Sequence, residues 1–94
     1  MNKMSARQNL SKGQKAAAWF NSGGNVKNMN EPIGEAACPW WNCCYGLMEA
    51  NRYGDAHPSD WVVDHKIPLA KGGTNNQCNL QAMHNACNNE KGDS

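Results

Sequence analysis

The sequence predicts a small α+β domain, and three observations predict it. The chain has 94 residues, a length that suits one domain with a thin hydrophobic core. Residues Trp61 to Ile67 are rich in Trp, Val and Ile, which favour a β-strand, and Pro68 ends the ladder. The chain also has 5 cysteines, and small domains with thin cores often add a metal or disulfides.

The N-terminal third predicts a basic arm, a short helix and a loop. Ser11 to Phe20 is expected to be helical with Ala16 to Trp19 as its apolar surface, and Asn21 to Asn30 is rich in Gly and Asn, as loops are. The basic residues that precede the first acidic residue, Glu31, are Lys3, Arg7, Lys12, Lys15 and Lys27. This charge suits contact with phosphates, although it is equally typical of a solubilising tail. We therefore expect a partly flexible basic arm and loop over residues 1–30 and the folded domain over residues 31–94.

The cysteines indicate metal ligands more than disulfides. The sequence has no apolar signal-peptide core near its first residue and no segment near the roughly 20 apolar residues of a membrane span. We therefore expect a cytoplasmic protein with reduced cysteines and no membrane partner. Clustered cysteines in a reducing compartment are typical of metal sites, and a disulfide-bonded secreted protein is the weaker alternative. Cys78 has no evident partner and is expected to be a small buried residue.

The segment from Cys38 to Gly54 predicts a compact knuckle. Three of the cysteines lie in it, at positions 38, 43 and 44. Trp40 and Trp41 are expected to pack, and stacking on a nucleic-acid base is the less ordinary role. Leu47 to Arg52 is expected to form a short helix that ends near Gly54.

The C-terminal part predicts a hairpin followed by a helix. Lys71 to Gln77 has the Gly-Gly and Asn content of a turn, and Asn79 to His84 is expected to return as a strand that pairs with Trp61 to Ile67. Its apolar residues also fit helical spacing, so a helix is the alternative here. A short helix is expected from about Asn85 to Lys91, with Gly92 as its stop.

Side chains suited to phosphodiester hydrolysis lie between Trp61 and Lys91. The reaction needs an activated water, neutralised charge on the phosphoryl oxygens and a stabilised leaving oxygen, commonly through a divalent metal. Imidazole accepts a proton near neutral pH, and a positioned base typically contributes ~10²–10⁴-fold. The candidates are His65 as the base, Asp64 and Asn88 as oxygen ligands for Mg²⁺ or Mn²⁺, Asn79 to hold the loop or the imidazole, and Lys91 to reach a phosphate. Because side chains alternate along a strand, Asp64 and His65 should leave it in opposite directions unless it bends.

Three motifs resemble those of the HNH endonuclease family. They are D-H-K-I-P-L-A-K-G-G over residues 64–73, N-L-Q over residues 79–81 and H-x-x-C-N-x-x-K-G-D over residues 84–93, so the resemblance covers roughly residues 53–93. It implies a ββα-metal fold, in which two antiparallel strands, the loop between them and a crossing helix surround one metal ion. By position, His65 would be the general base, Asn79 would orient it, and Asp64 and Asn88 would bind Mg²⁺ or another divalent ion such as Mn²⁺, Ni²⁺ or Zn²⁺.

Many HNH proteins also carry two Cys-x-x-Cys pairs around a structural zinc. The second pair corresponds here to His84 and Cys87, and the first would come from Cys38 with Cys43 or Cys44. Cys38, Cys43, His84 and Cys87 are the preferred ligands, with Cys44 as the alternate, and such a Cys₃His set is normal for structural zinc. In relatives without a zinc knuckle, a histidine at this position would instead line the active site or bind phosphate.

The resemblance implies an endonuclease that hydrolyses DNA, expected to be double-stranded, with a divalent metal and a histidine base. Lys66, Lys91 and Arg52 are the candidates for contact with the DNA backbone, which would supply affinity independent of base sequence. The alternative is a non-catalytic zinc-binding module that contacts nucleic acid or a protein partner. In that case the Asp64–His65 pair would be an incidental part of its polar surface.

Overall fold

The computed structural model describes residues 3–4 and 10–92, and a three-stranded antiparallel sheet forms its centre. In chain order the elements are β1 (Lys3–Met4), α1 (Lys12–Asn21), β2 (Asn25–Lys27), β3 (Glu31–Ile33), β4 (Glu35–Ala37), β5 (Leu47–Glu49), β6 (Trp61–His65), β7 (Leu80–His84) and α2 (Asn85–Lys91). Short 3₁₀ turns, Leu69–Lys71 and Gln77–Asn79, lie between β6 and β7. The sheet has the order β1-β6-β7, while β2 pairs with β3 and β4 with β5. The predicted small α+β fold is confirmed.

The predicted hairpin of β6 and β7 is present, with Trp61 opposite His84. Strand β6 ends at His65, before the predicted end at Ile67. The reason is that the backbone N–H and carbonyl of Ile67 bond to the side chain of Asn79 and not to a neighbouring strand. The loop between the strands therefore begins immediately after His65.

Both faces of β6 are covered, because all five of its residues are buried. Trp61 and Val63 belong to the main hydrophobic core. Asp64 points towards α2, where it contacts helix side chains. The ring of His65 contacts the loop instead, as expected from the alternation of side chains along a strand.

Helix α1 begins with a capping box. The Ser11 hydroxyl accepts from the backbone N–H of Gln14 at 3.0 Å, and the Gln14 side-chain oxygen accepts from the backbone N–H of Ser11 at 2.9 Å. Ala16, Ala18 and Trp19 are buried, and the helix packs mainly against β7. The helix predicted around Ser11 to Phe20 is confirmed.

The predicted division at residue 31 stays a prediction. Helix α1 nevertheless shares a core with the C-terminal part, since the ring centroids of Trp19 and Trp61 are 4.9 Å apart. The Ser22 hydroxyl also bonds to the backbone of Ala82, with both contacts at 2.9 Å. Of the arm and loop expected to be partly flexible over residues 1–30, residues 1–2 and 5–9 lie outside the described residues.

Several local predictions are wrong. Asn25–Lys27 is a strand within the segment predicted as a loop, and Trp41, which was expected to pack, is 82% exposed. Leu47–Glu49 is a strand and not the start of a helix, because it pairs with β4 and places Met48 opposite Ala36. Both of these side chains lie in the main core, so pairing with a distant segment outweighs local preference. Cys78, which was expected to be buried, is exposed on the 3₁₀ turn before β7.

Helix α2 spans Asn85–Lys91, as predicted, and follows β7 without an intervening loop. It packs against both β6 and β7. It ends at Gly92, whose φ of 56° is a conformation that glycine adopts most easily. Within residues 10–92, no helix is long and apolar enough to cross a membrane.

Candidate metal centre and active site

Four potential metal ligands converge where β7 passes into α2. Cys38 follows β4, Cys43 lies in the knuckle, His84 ends β7 and Cys87 lies in the first turn of α2. One ligand atom from each residue lies within 4.8 Å of the others. This is the Cys₃His set preferred from the sequence, and three sulfurs with one imidazole nitrogen could hold a metal ion in tetrahedral coordination.

The remaining cysteines lie outside this cluster. Cys44 and Cys78 are both exposed, and neither belongs to the four-residue group. The geometry therefore favours Cys43 over the alternate Cys44. All five cysteines are free.

Burial disfavours the thiolate forms of Cys38 and Cys87 unless a cation is near. Burial raises the pKa of Cys87, and the neighbouring thiols raise it further. Burial also raises the pKa of Cys38, although hydrogen bonds from backbone N–H groups oppose this. The N–H of His84 donates to Cys38 Sγ at 3.5 Å, and the N–H of Tyr45 donates to Cys43 Sγ at 3.5 Å. The cluster is therefore suited to a cation that displaces the thiol protons.

His84 faces the cysteines. Its Nδ1 lies 3.3 Å from Cys43 Sγ. Burial lowers the pKa of the His84 imidazole, and the backbone of Leu47 partly opposes this effect. A neutral imidazole is the form that binds metals. Of the two roles that the resemblance allows, this geometry supports the metal cluster and not the lining of the active site.

Asp64 is fully buried between β6 and α2. Its Oδ1 accepts from Asn88 Nδ2 at 2.9 Å, and its Oδ2 accepts from Gln81 Nε2 at 2.8 Å. Lys91 Nζ lies 3.4 Å from Oδ2. Burial raises the pKa of the Asp64 carboxyl, while the Gln81 hydrogen bond and the Lys91 charge oppose this. Because burial penalises the ionised carboxylate, a nearby cation would stabilise it.

The side-chain oxygen of Asn88 is buried and has no hydrogen-bond partner among the described residues. Leaving such an acceptor unsatisfied costs about 1–3 kcal/mol. The oxygen and nitrogen of an amide exchange places by a half-turn, and the nitrogen lies 2.9 Å from Asp64 Oδ1. Neighbouring oxygens around Mg²⁺ lie about 3 Å apart. Asp64 and Asn88 are therefore residues that could hold a hard divalent ion.

His65 is fully buried at the end of β6. Its Nε2 lies 2.8 Å from the side-chain oxygen of Asn75. The sequence does not single out Asn75, because it lies in an Asn-rich stretch predicted only as a turn. The sequence does not predict the role of Gln81 either, because nothing in its spacing indicates the contact with Asp64.

Asn79 closes the loop, because its side chain bonds to backbone groups of the loop. Its Oδ1 accepts from the N–H of Ile67 at 2.9 Å, and its Nδ2 donates to the carbonyls of Ile67 at 3.1 Å and Thr74 at 2.8 Å. Of the two roles considered for Asn79, these contacts correspond to holding the loop. The contact with the imidazole comes from Asn75.

Gly73 allows the loop to fold back on itself. Its N–H donates to the carbonyl of Pro68 at 2.9 Å, and a Cβ at this position would overlap the carbonyl of Ile67.

We expect Gly73→Ala to lower the free energy of unfolding by about 1–3 kcal/mol, since the backbone must shift to relieve the overlap. Urea unfolding measures this change, and Lys71→Ala at an exposed position of the same loop is the control, expected within about 0.5 kcal/mol of wild type. Equal stability of the two variants would show that the loop does not need this close approach.

The three residues predicted to contact DNA have different environments. Lys91 is buried, and its ammonium donates to the backbone carbonyl of His65 at 3.2 Å, so this side chain is not on the surface to meet a phosphate. Arg52 Nε donates to Asp60 Oδ1 at 3.1 Å, so its guanidinium holds the segment before β6. Lys66 is exposed and remains a candidate for DNA contact.

Residues 51–94 match a family model described as HNH endonuclease. The matched segment contains β6, the loop, β7 and α2. It includes His84 and Cys87, whereas Cys38 and Cys43 come from the preceding part of the chain. No curated protein and no solved structure matches the chain significantly.

Proposed function

We propose that the protein hydrolyses phosphodiester bonds of DNA with a divalent metal and a histidine base, because residues 51–94 match a family model described as HNH endonuclease. This match supports a nuclease-type function. The observation that carries the finer proposal is the unsatisfied side-chain oxygen of Asn88, whose amide nitrogen contacts the buried carboxylate of Asp64 in the matched segment. Double-stranded DNA is the proposed substrate.

We assign the general base to His65. Imidazole can take a proton from water near neutral pH, and the hydrogen bond to Asn75 fixes the ring. In the proposed hydrolysis, a proton of the attacking water passes to the imidazole while the water oxygen forms a bond to phosphorus. The bond from phosphorus to the leaving sugar oxygen breaks, and that oxygen takes up a proton.

Asp64 and Asn88 would hold the divalent ion, which we propose to be Mg²⁺ or another ion such as Mn²⁺, Ni²⁺ or Zn²⁺. When bound, such an ion neutralises charge on the phosphoryl and leaving oxygens. Gln81 fixes the orientation of the Asp64 carboxylate, and the Lys91 ammonium compensates its charge. These contacts position the carboxylate before an ion arrives.

Cys38, Cys43, His84 and Cys87 would hold a structural zinc ion. A set of four protein ligands has no open position for a substrate, so this cluster suits a structural role. A hydrogen bond of 2.9 Å from Asn42 Nδ2 to Glu90 Oε2 also connects the knuckle to α2. The ion would therefore fix the knuckle against the helix that carries Asn88.

The burial of Asp64 and His65 gives the alternative function a specific basis. Both side chains are fully buried, so a phosphodiester could reach them only after neighbouring residues move. The Cys₃His cluster needs no such access. A non-catalytic zinc-binding module that contacts nucleic acid or a protein partner would use this cluster together with exposed side chains such as Lys66.

Metal-dependent plasmid cleavage tests the proposal. Wild-type protein is expected to nick or linearise supercoiled DNA with at least one of Mg²⁺, Mn²⁺ and Ni²⁺. Asp64→Asn keeps the shape of the side chain but removes its charge. Asp64→Asn should lower both the Mn²⁺ affinity and the cleavage rate. Each decrease should be larger than roughly 10–100-fold, the effect typical of groups that only support a metal ligand.

Asp55→Asn is the matched control, because Asp55 lies in the same matched segment but outside the site. It should retain both Mn²⁺ binding, followed by electron paramagnetic resonance, and cleavage. Absence of cleavage by wild type with every ion, together with retained zinc, would exclude the nuclease mechanism and favour the non-catalytic module.

A further inference from the structure

The contact between Asn75 and His65 bears on which nitrogen of the imidazole carries the hydrogen. The distance between His65 Nε2 and Asn75 Oδ1 is 2.8 Å. A side-chain amide oxygen can only accept a hydrogen bond. With the Asn75 oxygen facing the ring, Nε2 is the donor, and in a neutral ring the basic lone pair is then on Nδ1.

Contacts within the loop between β6 and β7 fix the backbone close to Asn75. Asn79 bonds to both backbone groups of Ile67, where the loop leaves β6, and to the carbonyl of Thr74. The close approach of Gly73 to Ile67 tightens the same turn. The backbone is thus fixed at position 74, immediately before Asn75, although the residues from Thr74 to Cys78 are exposed.

We propose that Asn75 is a positioning residue for the base: it holds the His65 ring and keeps its hydrogen on Nε2, so that Nδ1 receives the proton from water. This inference rests on the proposed function, because it assigns the base role to His65. It gives two asparagines of the loop different roles. Asn79 fixes the backbone, and Asn75 fixes the imidazole.

Nuclear magnetic resonance tests the contact without any need for activity. In ¹⁵N-labelled protein, the Nε2-bound hydrogen of His65 is expected to give a downfield signal that exchanges slowly with water, because it is hydrogen-bonded. Asn75→Ala should abolish this signal or accelerate its exchange. Asn75→Asp, which keeps an acceptor oxygen of the same reach, should retain it. Asn76→Ala is the control, because this neighbouring exposed side chain makes no hydrogen bond to the ring.

Kinetics on plasmid DNA test the consequence. Asn75→Ala should lower kcat by about 10–100-fold, the usual effect of a group that supports a functional residue, with little change in KM. Asn75→Asp should recover much of this loss, and Asn76→Ala should match wild type. A merely structural role would alter the thermal unfolding of Asn75→Ala and would not be rescued selectively by an acceptor.

The outcomes separate this inference from the proposed function. A His65 signal that is the same in wild type and Asn75→Ala, or an unchanged kcat in Asn75→Ala, would overturn the role of Asn75 while leaving the nuclease intact. Wild type that cleaves no DNA would overturn the nuclease and with it the base role. In that case, a signal lost in Asn75→Ala would still show that Asn75 holds the ring.

Discussion

Replacing His65 with alanine is expected to lower the rate of DNA cleavage by about 10²–10⁴-fold, the typical contribution of a positioned base. The physical reason is that the attacking water loses the group that would take its proton. Single-turnover cleavage of supercoiled plasmid measures the effect, with the divalent ion in excess. His57→Ala is the matched control, because His57 is exposed in the turn before β6 and its side chain has no role in the proposed site.

Loss of activity must be separated from loss of fold, because His65 is fully buried. His65→Gln fills more of the space than alanine, and its amide could still donate to Asn75. Circular dichroism and metal content should be close to wild type for this variant, while cleavage should fall as it does in His65→Ala. Cleavage by either variant at the wild-type rate would mean that another group activates the water.

Removing the ion from the Cys₃His cluster is expected to unfold most of the protein. Structural zinc contributes about 10–16 kcal/mol in small zinc-binding peptides near pH 7, whereas the stability of a whole domain is about 5–15 kcal/mol. Cys87→Ser, or treatment of wild type with a strong chelator, should therefore abolish most of the far-ultraviolet circular dichroism. Zinc analysis of the purified protein should give one tightly held ion in wild type and none in Cys87→Ser.

Two exposed cysteines provide the controls for this prediction. Cys44→Ser and Cys78→Ser lie outside the cluster, so both should retain zinc and unfold within about 0.5 kcal/mol of wild type. A Cys87→Ser variant with wild-type zinc content and stability would contradict the assigned ligands. Zinc loss in Cys44→Ser but not in a Cys43→Ser variant would instead restore Cys44 as the ligand.

Zinc uptake should also release protons, because the thiols that bind the ion must lose theirs. Burial raises the pKa values of Cys38 and Cys87, so both thiols hold their protons at neutral pH in folded protein without a cation. Binding as thiolates must displace these protons, and the apparent zinc affinity should fall as pH falls.

The part of the fold that carries the site could be predicted largely from local sequence. Strand-forming residues from Trp61, a Gly-Gly turn and a helix that ends before Gly92 all follow local preferences, and the structure realises them in that order. The resemblance to the HNH family likewise implies two neighbouring ligands, His84 and Cys87, at the start of this helix. These predictions need only local information, because each element and the residue that ends it are close together in the sequence.

Contacts between distant segments could not be predicted in this way. Leu47–Glu49 is a strand because β4 pairs with it, and the ion pair of Arg52 depends on the turn that brings Asp60 back towards it. The burial of Lys91 beside Asp64 reflects how α2 packs on the sheet. In each case the assembled fold determines which partner the side chain meets. The residue type alone could not predict this partner, because it is compatible with several roles.

Helix α2 carries Cys87 and Asn88 in consecutive positions, and this adjacency has a thermodynamic consequence. A helix of 7 residues is too short to be stable by itself in water. An ion bound to Cys87 would hold the backbone that also orients Asn88, so a second ion there would meet a ligand that is already ordered. Linkage then requires that each ion strengthen the binding of the other by the same factor. A zinc titration at several Mn²⁺ concentrations would give that factor directly as a shift in apparent affinity.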